Sequence, residues 1–562
     1  MSVLFGFWGA PSRVLRDTMS GLLAHRGESE SIVETPYATI GVRFRSTDQA
    51  STRLVEERHP NTDHRHLVGL AGHLTKRDSS FDMVNPGWRG AWAAVRIEPD
   101  SLCLARDAAG ARSIAWGRIG ERILFASEPK AIARAPGFKR QLRYGALAQY
   151  LSFSFVPERE SMIQNVFRLG PGECATFREP TRPTYHRWFK AEENEGRTTR
   201  SDADWVMEFA ESLRAAVRER LPNTEPAATL SGGIDSSIIA SLVASEHPQP
   251  LQTYTAHFGF DAPNELAEAR SVADHVGTQH EEVRVDPADF LPNLEAAIWH
   301  LDDPIGDPVT IGNYALARAM RGGRHIFNGE GGDPLFGGPK NLTMALHHAY
   351  GGVDHSEGFR ERAYLRSYRR AYTEIPHVLS EDSLKHISPK RDLENVLTPF
   401  FDAERPQLFL NRLLSINTRL KGAHLILPKV ERMMAAGGLV ALSPLFDERL
   451  LRLSMAMPAH LKVSKAVEKV VLKMAFGDQV PRAIVDRKKS GMRVPVHQWF
   501  KGPMKRYARK LLSPRALKRD GLFRPERVKQ WLDYDIAEGS GRYGLRLWML
   551  VTFETWRRVL LE

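Results

Sequence analysis

The sequence predicts an α/β protein of two domains, a β-rich N-terminal domain and a C-terminal domain built on a parallel sheet. The chain has 562 residues, which is too long for a single hydrophobic core. Short apolar or alternating runs bounded by turn residues fill residues 1–190, whereas strand-like and helix-like segments alternate over residues 204–562. Residues 191–203 between them are polar and are the predicted linker.

The N-terminal domain is predicted to consist of stacked antiparallel sheets, because its strand-like runs are short and are separated by Gly, Pro, Asp or Asn. One helix-like segment, Arg13–Leu23, precedes the predicted strands. The predicted strands are Ile40–Phe44, His66–Ala71, Ala91–Ile97, Ser101–Arg106 and Arg122–Ala126.

The C-terminal domain is predicted to be a parallel sheet covered by helices on both faces, because strands and helices alternate. It opens with an amphipathic helix over Trp205–Leu221, in which Phe209 and Leu213 begin an apolar row with four-residue steps. Ligands of such sheets bind at the carboxyl ends of the strands. The predicted strands are Ala227–Leu230, Leu251–Phe258, Glu282–Val285 and Arg324–Phe327, and the predicted helices between them include Ala267–Val276 and Asn313–Arg321.

The composition, 42% hydrophobic and 26% charged residues, is that of a soluble globular protein. The formal net charge is +11, and the arginines are scattered along the chain. We therefore expect an anionic small molecule or an acidic peptide as partner, rather than nucleic acid. Only two cysteines, Cys103 and Cys174, are present, which is typical of a reducing compartment and argues against a disulfide framework and a cysteine-based zinc site. Without a signal-like start or an 18-residue apolar run, we expect a cytoplasmic protein with no membrane span.

The segment Ser231–Ser237, of sequence SGGIDSS, lies where a buried strand is predicted to turn into a helix. Its glycines let successive backbone N–H groups turn towards an anion, and the helix start adds further donors. The serine hydroxyls can bond phosphate oxygens, whereas Asp235 repels phosphate unless a cation lies between them, which implies Mg²⁺. A simple helix cap is the alternative interpretation, but the complete motif after a strand favours a phosphate site.

A second glycine-rich segment, Asn328–Asp333, directly follows the predicted strand Arg324–Phe327. Its three glycines permit a close approach of backbone to ligand, and they accompany two carboxylates, Glu330 and Asp333. A solvated acidic turn is the alternative interpretation of this segment alone. Because both loops would follow adjoining parallel strands, we expect them to face each other across one edge of the sheet.

Together the two loops resemble those of the asparagine synthetase family, and the resemblance extends over nearly the whole chain. It implies an N-terminal-nucleophile αββα sandwich followed by an ATP pyrophosphatase domain of the HUP-like class with helical additions. It also implies ATP as substrate, with Mg²⁺ shared by Asp235 and Asp333. The residues that the resemblance assigns to nucleotide binding are Leu230, Ser231, Gly232, Gly233, Asp235, Ser236, Ser237, His257, Gly329 and Gly331.

Segments of the N-terminal domain resemble landmarks of the family's glutaminase domain, but residues that hydrolyse glutamine are missing. The family's nucleophile is the cysteine after the initiator methionine, whereas this sequence has Ser2, a far weaker nucleophile at neutral pH. The family's NGE segment, which holds glutamine, is Ala71-Gly72-His73, and nearby only Asp78 and Asp82 remain as acids. We expect no ammonia from this domain; a glutaminase that depends on Ser2 is the alternative. The resembling segments are His25-Arg26-Gly27, Arg106-Asp107 with Gly110, Ala126–Ala131 and Leu169–Gly172.

The resemblance suggests three catalytic residues, Glu330, Glu431 and Lys489. Related β-lactam synthetases have a tyrosine at the position of Glu330, paired with a glutamate at the position of Glu431. Two facing carboxylates could raise one another's pKa, so that one takes a proton from the attacking amine; an exposed helix acid is the alternative for Glu431. Lys489 lies in Arg487–Met492, which resembles the family's RxKxGF segment, and it is implied to contact the phosphate.

The implied reaction is amide formation through an acyl-adenylate, with release of pyrophosphate and then AMP. Since the glutamine site is lost, an amine on the same substrate is favoured, because proximity can supply an effective molarity of about 10⁵ M or more. The GEGGD loop without the tyrosine resembles that of cyclases that close the macrolactam of lasso peptides. Such an enzyme joins a peptide's N-terminal amine to an Asp or Glu side chain, with a leader peptidase and a precursor-recognition protein as implied partners.

Several other functions share these motifs. They are a β-lactam-synthetase-like or other small-molecule amide synthetase, and an asparagine synthetase that uses free ammonia. A tRNA-modifying ATP pyrophosphatase would share only the SGGIDSS loop. A non-enzymatic scaffold is disfavoured because Asp235, Asp333 and Lys489 are all present.

Overall fold

The computed structural model describes most of the chain with full side chains. The described residues are 2–45, 53–58, 65–76, 86–193, 199–259, 262, 264–320, 325–337, 357–368, 370–402, 408–465, 467–487, 492–534 and 542–562. Asp78, Asp82 and Lys489 lie outside these ranges, so the structure carries no information on their predicted roles.

The N-terminal region contains two six-stranded antiparallel sheets, which confirms the predicted sandwich. In the first sheet the spatial order is β10-β8-β9-β1-β3-β2, and in the second it is β12-β11-β7-β6-β5-β4. The strands are β1 Val3–Trp8, β2 Ser29–Thr35, β3 Ala38–Phe44, β4 Arg53–Arg58, β5 Arg65–Lys76, β6 Arg89–Glu98, β7 Ser101–Arg106, β8 Ala115–Ile119, β9 Arg122–Ala126, β10 Val166–Arg168, β11 Glu173–Phe177 and β12 Thr184–Arg187.

One core lies between the two sheets and another lies under the helices that cover the first sheet. Leu4 and Ile40 of the first sheet pack in one cluster with Val95 and Leu104 of the second. Phe5 and other alternate residues of β1 point the opposite way, into the core shared with the neighbouring helices. Every residue of β1 is therefore buried, and the strand lacks the apolar-polar alternation that marks half-exposed strands.

The C-terminal region is organised around a five-stranded parallel sheet of order β15-β14-β13-β16-β17. Four of its strands match the predicted ones to within a few residues, and the three-residue strand β17 was not predicted. The central strands β13 and β16 are direct neighbours, with Ala227 opposite Ile326. The loops that follow them therefore emerge side by side, as predicted. The strands are β13 Ala227–Thr229, β14 Gln252–His257, β15 Gln279–Arg284, β16 His325–Phe327 and β17 Val440–Leu442, and a short hairpin follows at β18 Val463–Ser464 and β19 Val467–Glu468.

Helices surround both sheet systems and build most of the region after β16. The α-helices are Arg13–Leu22, Pro129–Ala133, Tyr144–Phe153, Asp202–Arg218, Ile234–Glu246, Leu266–Val276, Pro287–Phe290, Leu294–Leu301, Val309–Ala319, Gly332–Phe336, Phe359–Tyr368, Ile375–Val378, Glu381–Lys385, Asn395–Phe401, Phe409–Ile416, Leu427–Ala436, Glu448–Ala456, Val470–Phe476, Arg482–Asp486, Val496–Lys501, Lys505–Leu511, Pro514–Asp520, Pro525–Asp533 and Arg542–Trp556. The segment Asn417–Ile426 is a π-helix that leads into Leu427–Ala436. Among the described residues no helix is both long and apolar enough to cross a membrane.

The N-terminal and C-terminal regions are joined by buried polar contacts. Asp303 accepts a hydrogen bond from the Met162 amide at 3.0 Å and pairs with Arg168 at 2.9 Å. Arg106, which is 1% exposed, donates to the carbonyl of Ala423 at 3.0 Å. Because unpaired buried charges are costly, these contacts fix the two regions against each other.

Candidate active site

The SGGIDSS loop connects β13 to the helix Ile234–Glu246 at the carboxyl edge of the parallel sheet. Its serines are held by one another: the Ser231 amide donates to the Ser236 hydroxyl at 3.1 Å, and the two hydroxyls lie 3.0 Å apart. No side chain caps this helix, whose first residue follows Gly233. The free N–H groups of the helix start can therefore serve an anion, as the sequence predicts.

The second glycine-rich loop approaches the first so closely that side chains are excluded at two positions. A Cβ atom on Gly329 would lie 2.4 Å from the Ser236 nitrogen, and one on Gly332 would lie 2.2 Å from an Asp235 carboxylate oxygen. Asn328 anchors this loop, because its side chain donates to the Leu442 carbonyl at 2.8 Å and accepts from the Glu330 amide at 3.1 Å. The glycines and this anchor fix the position of the carboxylates next to Ser231–Ser237.

Asp235 and Asp333, the predicted metal pair, come together on one cation. The ammonium group of Lys469 lies 2.6 Å from an oxygen of each carboxylate. Burial would lower the pKa of Lys469, but the two carboxylates outweigh burial and raise the pKa above its usual value. The side chain of Lys469 is only 2% exposed, so its charge depends on these two acids.

Lys469 is a site residue that the sequence reasoning missed. It follows the hairpin β18–β19, whose two-residue strands are too short to give a periodic signal. It adopts a left-handed backbone conformation, with φ of +57°, directly before the helix Val470–Phe476. Lys473 lies one helical turn further on and lines the same cavity.

The carboxylate pair fits a divalent cation by its chemistry. Asp235 Oδ1 is buried and accepts no hydrogen bond from the described residues, so one oxygen of the pair is available for a ligand. Mg²⁺ in nucleotide enzymes is held by one or two carboxylates together with phosphate oxygens and water. No group of three or more His, Cys, Asp or Glu side chains suited to a metal occurs in the described part of the chain. The remaining ligands of such a cation would be phosphate oxygens and water.

Two adjacent cavities open onto this cluster. The first, of about 320 Å³, we call the loop cavity; it is lined by Ser231, Gly233, Asp235, Ser236, Lys469 and Lys473, among others. The second, of about 260 Å³, we call the adjoining cavity; it is lined by Asp307, Glu330, Asp333, Arg370, Lys421 and Lys429, among others. Asp235, Gly329, Glu330 and Asp333 border both. Glu330 and the carboxylate pair thus stand where the two cavities meet.

The predicted nucleotide-binding residues do not all face the loop cavity. Leu230, Ser231, Gly233, Asp235, Ser236 and Gly329 line it, and Gly331 lines the adjoining cavity. Ser237 is fully buried, and its hydroxyl donates to the Gly233 carbonyl at 2.8 Å, so it supports the helix start from behind. Gly232 and His257 line neither cavity. His257 is 6% exposed at the end of β14, and burial lowers its pKa.

The predicted pair of Glu330 and Glu431 is wrong. Both oxygens of Glu431 are bound by Arg26, at 2.6 and 3.1 Å, and one is also 3.0 Å from Arg112. Burial would raise the pKa of Glu431, but these arginines outweigh burial and lower the pKa. Glu431 lines a separate cavity of about 40 Å³, together with His73 and Arg112. It is a contact of the N-terminal region rather than a partner of Glu330.

The predicted lost glutamine site has a buried Ser2 and a half-buried His73. Ser2 is 3% exposed, and its hydroxyl accepts a hydrogen bond from the Gly72 amide at 2.9 Å. Burial lowers the pKa of the neighbouring His73 to about 4, which keeps that side chain neutral near pH 7. Neither residue lines the loop cavity or the adjoining cavity.

Arg487 and Met492, the described ends of the segment that contains Lys489, both line the loop cavity. Arg487 donates to the Gly232 carbonyl at 3.0 Å and pairs with Glu265. It therefore ties this segment to the SGGIDSS loop.

An N-terminal antiparallel sandwich joined to a parallel α/β domain, with a serine- and glycine-rich loop beside a carboxylate pair, is the arrangement of two-domain amide-forming synthetases. Comparisons with known proteins agree. A family profile described as asparagine synthase matches residues 208–558, and one described as glutamine amidotransferase domain matches residues 88–189. The chain belongs to the asparagine synthase family, and it is an ATP-dependent ligase of the asparagine synthetase type. Its fold is an N-terminal glutamine-amidotransferase-type domain followed by the synthase domain.

Three relatives illustrate the range of the family. Asparagine synthetase [glutamine-hydrolyzing] 1 of Bacillus subtilis is 27% identical over 488 residues, which cover 82% of this chain and 75% of that protein. A putative asparagine synthetase of Mycobacterium tuberculosis H37Rv is 27% identical, covering 84% and 76%. The carboxyethyl-arginine beta-lactam-synthase of Streptomyces clavuligerus is 36% identical over 141 residues, covering 24% and 27%. The relatives of this chain thus include proteins named glutamine-hydrolyzing asparagine synthetases and one named a beta-lactam-synthase.

Proposed function

We propose that this ligase closes the macrolactam ring of a lasso peptide. It activates the side-chain carboxylate of an Asp or Glu with ATP, releasing pyrophosphate, and the peptide's own N-terminal amine then displaces AMP. The observation that carries this proposal is the convergence of Asp235, Asp333 and Lys469 beside the SGGIDSS loop, at the opening to a second cavity. The loop cavity suits the nucleotide, and the adjoining cavity suits the carboxylate substrate.

In this proposal the loop cavity binds the triphosphate of ATP. Ser231, Ser236 and the backbone N–H groups at the start of Ile234–Glu246 donate to phosphate oxygens. Asp235 and Asp333 hold Mg²⁺, which neutralises negative charge on the phosphates when it is bound. Lys469, with its ammonium next to both acids, provides a fixed positive charge where the reaction gathers negative charge.

The amine is proposed to come from the substrate itself. Ser2 replaces the nucleophile of the glutamine-dependent relatives, and Arg26 and Arg112 hold Glu431 on the side of the N-terminal region. Glu330, at the junction of the two cavities, is the proposed base that takes a proton from the attacking ammonium. A leader peptidase and a precursor-recognition protein are the proposed partners, since such a substrate must be cut from a longer precursor.

A small-molecule amide synthetase is the second candidate. It is favoured by the ring-closing relative from Streptomyces, which has the highest identity of the three relatives above, although over only 141 residues. An ammonia-dependent asparagine synthetase would use the same loops with aspartate as substrate. The three candidates differ in the carboxylate that is adenylated, so the substrate distinguishes them.

The test is ATP–pyrophosphate exchange with purified full-length protein. The substrates are synthetic peptides with a free N-terminus and one Asp or Glu at successive positions, compared with aspartate plus ammonium and with carboxyethyl-arginine. We expect exchange with a subset of the peptides, together with a product lighter by one water in mass spectrometry. Asp235→Asn is the inactive control, and the exposed Asp274→Asn is its matched active control. Exchange with aspartate alone, and asparagine as product, would contradict the cyclase proposal.

A further inference from the structure

The adjoining cavity contains two cations that form no ion pair within the described part of the chain. Neither Arg370 nor Lys421 forms an ion pair with any described residue. The Arg370 Nε atom is buried and has no hydrogen-bond acceptor among the described residues. Buried or half-buried cations are normally paired, because desolvation of an unpaired charge is costly. Two such groups lining one cavity indicate an anionic ligand.

Lys429, the third cation of this cavity, differs from Arg370 and Lys421 because it is paired with an acid. The ammonium of Lys429 lies 2.8 Å from Asp307 Oδ2, and its side chain is 6% exposed. Burial would raise the pKa of Asp307, but Lys429 outweighs burial and holds the pKa well below its usual range, with a smaller contribution from Arg370. Asp307 is thus already occupied by Lys429, and it leaves Arg370 and Lys421 available for a ligand.

The positions of Arg370 and Lys421 are fixed by the fold. The guanidinium of Arg370 lies 5.3 Å from the ring centre of Tyr368, and the next residue, Ala371, donates its amide to the Leu151 carbonyl at 2.8 Å. Lys421 lies on the π-helical segment Asn417–Ile426, next to the buried Leu420 and Gly422. A pre-positioned pair of cations loses little conformational entropy when it binds an anion.

The triphosphate of ATP does not account for this pair. The phosphate donors of the SGGIDSS loop line the loop cavity, whereas Arg370 and Lys421 line only the adjoining cavity. The reacting carboxylate does not account for the pair either. It must reach the α-phosphate, and it loses its negative charge when the acyl-adenylate forms. Cations that it alone satisfied would then stand unpaired for the rest of the reaction.

We propose that Arg370 and Lys421 form a subsite for a second carboxylate of the substrate, one that does not react. Such a carboxylate keeps its charge through adenylation and amide formation, so it pairs both cations throughout. The substrate class is then an acidic peptide with a further Asp or Glu close to the acceptor residue. This inference deepens the proposed function and relies on it for the statement that the substrate is a peptide.

The experiment uses full-length wild type, Arg370→Gln, Lys421→Gln and the matched control Arg366→Gln, an exposed arginine on the helix Phe359–Tyr368. Pairs of peptides differ only in one further acidic residue, which is replaced by its amide in one member. We expect the amide peptide to raise KM about 10- to 100-fold in wild type and Arg366→Gln, with little change in kcat. In Arg370→Gln and Lys421→Gln we expect both members of a pair to have the same, raised KM.

Several outcomes separate this inference from the proposed function. Peptides that react equally well with and without the second acid overturn the subsite, although the cyclase proposal stands. If aspartate drives the exchange instead, the cyclase proposal fails. In that case a raised KM for aspartate in Arg370→Gln and Lys421→Gln supports the subsite, because aspartate has a second carboxylate that could bind there. A raised KM for ATP alone assigns the two cations to the triphosphate and overturns the inference.

A measurement without turnover covers the case in which no carboxylate is adenylated. Citrate, a small polycarboxylate, is added to the four proteins during thermal unfolding. We expect citrate to raise the unfolding temperature of wild type and Arg366→Gln more than that of Arg370→Gln and Lys421→Gln. Equal shifts in all four proteins overturn the subsite.

Discussion

The two halves of this molecule use their charged residues in opposite ways. In the N-terminal half, buried charges are paired on several sides: Glu128 contacts His25, Arg26 and Lys130. At the loops of the C-terminal half, two acids share a single lysine, and Arg370 forms no ion pair with a described residue. Charged residues with a full set of partners join the two halves, whereas charged residues with an incomplete set of partners line the cavities. The degree of pairing therefore separates structural charges from candidate ligand-binding charges.

The largest expected effect is at the shared lysine. Lys469→Met removes the cation between Asp235 and Asp333, and we expect ATP–pyrophosphate exchange to fall by about 10²–10³-fold. The matched control is Lys465→Met, an exposed lysine of the hairpin that precedes Lys469, which should retain full activity. Exchange is measured with a peptide found in the substrate panel. If Lys469→Met retained near-normal exchange, Lys469 would be a structural charge, and the proposed difference between the two halves would be wrong.

The two glutamates that were predicted to form a pair give the next test. Glu431→Gln leaves Arg26 and Arg112 facing a neutral side chain, and we expect the free energy of unfolding to fall by about 3 kcal/mol. Glu330→Gln removes the proposed base, and we expect kcat for amide formation to fall by at least about 10²-fold with little change in unfolding. Chemical denaturation and single-turnover kinetics measure the two quantities. If the free energy of unfolding fell as much in Glu330→Gln as in Glu431→Gln, the two glutamates would not differ in their roles, and the proposed difference between the halves would be wrong.

The different outcomes for these glutamates show what the sequence can predict. The neighbouring central strands and the facing loops follow from patterns within short segments, namely apolar runs that end in glycine-rich turns. The partner of Glu431 is Arg26, 405 positions away in the chain, and no local pattern encodes that contact. Lys469 was missed for a related reason, since it follows a hairpin of two-residue strands. Arg370 and Lys421 line one cavity only through the packing of segments that are far apart in the chain.

Substitution of Lys462 provides a test of whether every charged residue with an incomplete set of partners lies beside a ligand site. It is fully buried and donates to the Asn411 side chain and the Ser454 carbonyl, at 2.6 and 2.7 Å, and burial lowers its pKa to about 8. In the unfolded chain the pKa of this lysine is about 10.4. At pH values between the folded and the unfolded pKa, the unfolded chain therefore binds more protons than the folded protein does. Stability of wild type relative to Lys462→Met should therefore rise as pH increases from about 8 to 10, by at most about 1.4 kcal/mol per pH unit.

Urea unfolding of both proteins at several pH values measures this difference. A difference that stays constant with pH would contradict the lowered pKa of Lys462. Whatever the size of the slope, we expect Lys462→Met to leave KM for ATP and for peptide unchanged, because Lys462 lines neither the loop cavity nor the adjoining cavity. A changed KM would extend the ligand site beyond those two cavities.

The smallest expected effect is at Ser2, which occupies the position predicted for the nucleophile of the N-terminal half. Ser2→Cys introduces the thiol of the glutamine-dependent relatives. It does so at the position whose side chain accepts a hydrogen bond from the Gly72 amide. We expect no glutamine hydrolysis, because the segment Ala71-Gly72-His73 still lacks the asparagine that the family uses to hold glutamine. Glutamate release from glutamine is measured after mass spectrometry confirms removal of the initiator methionine. Glutamate release well above that of wild type would mean that Ser2 alone had silenced this half. The rest of its glutamine site would then be intact, and the buried pairing around Arg26 would not mark a purely structural domain.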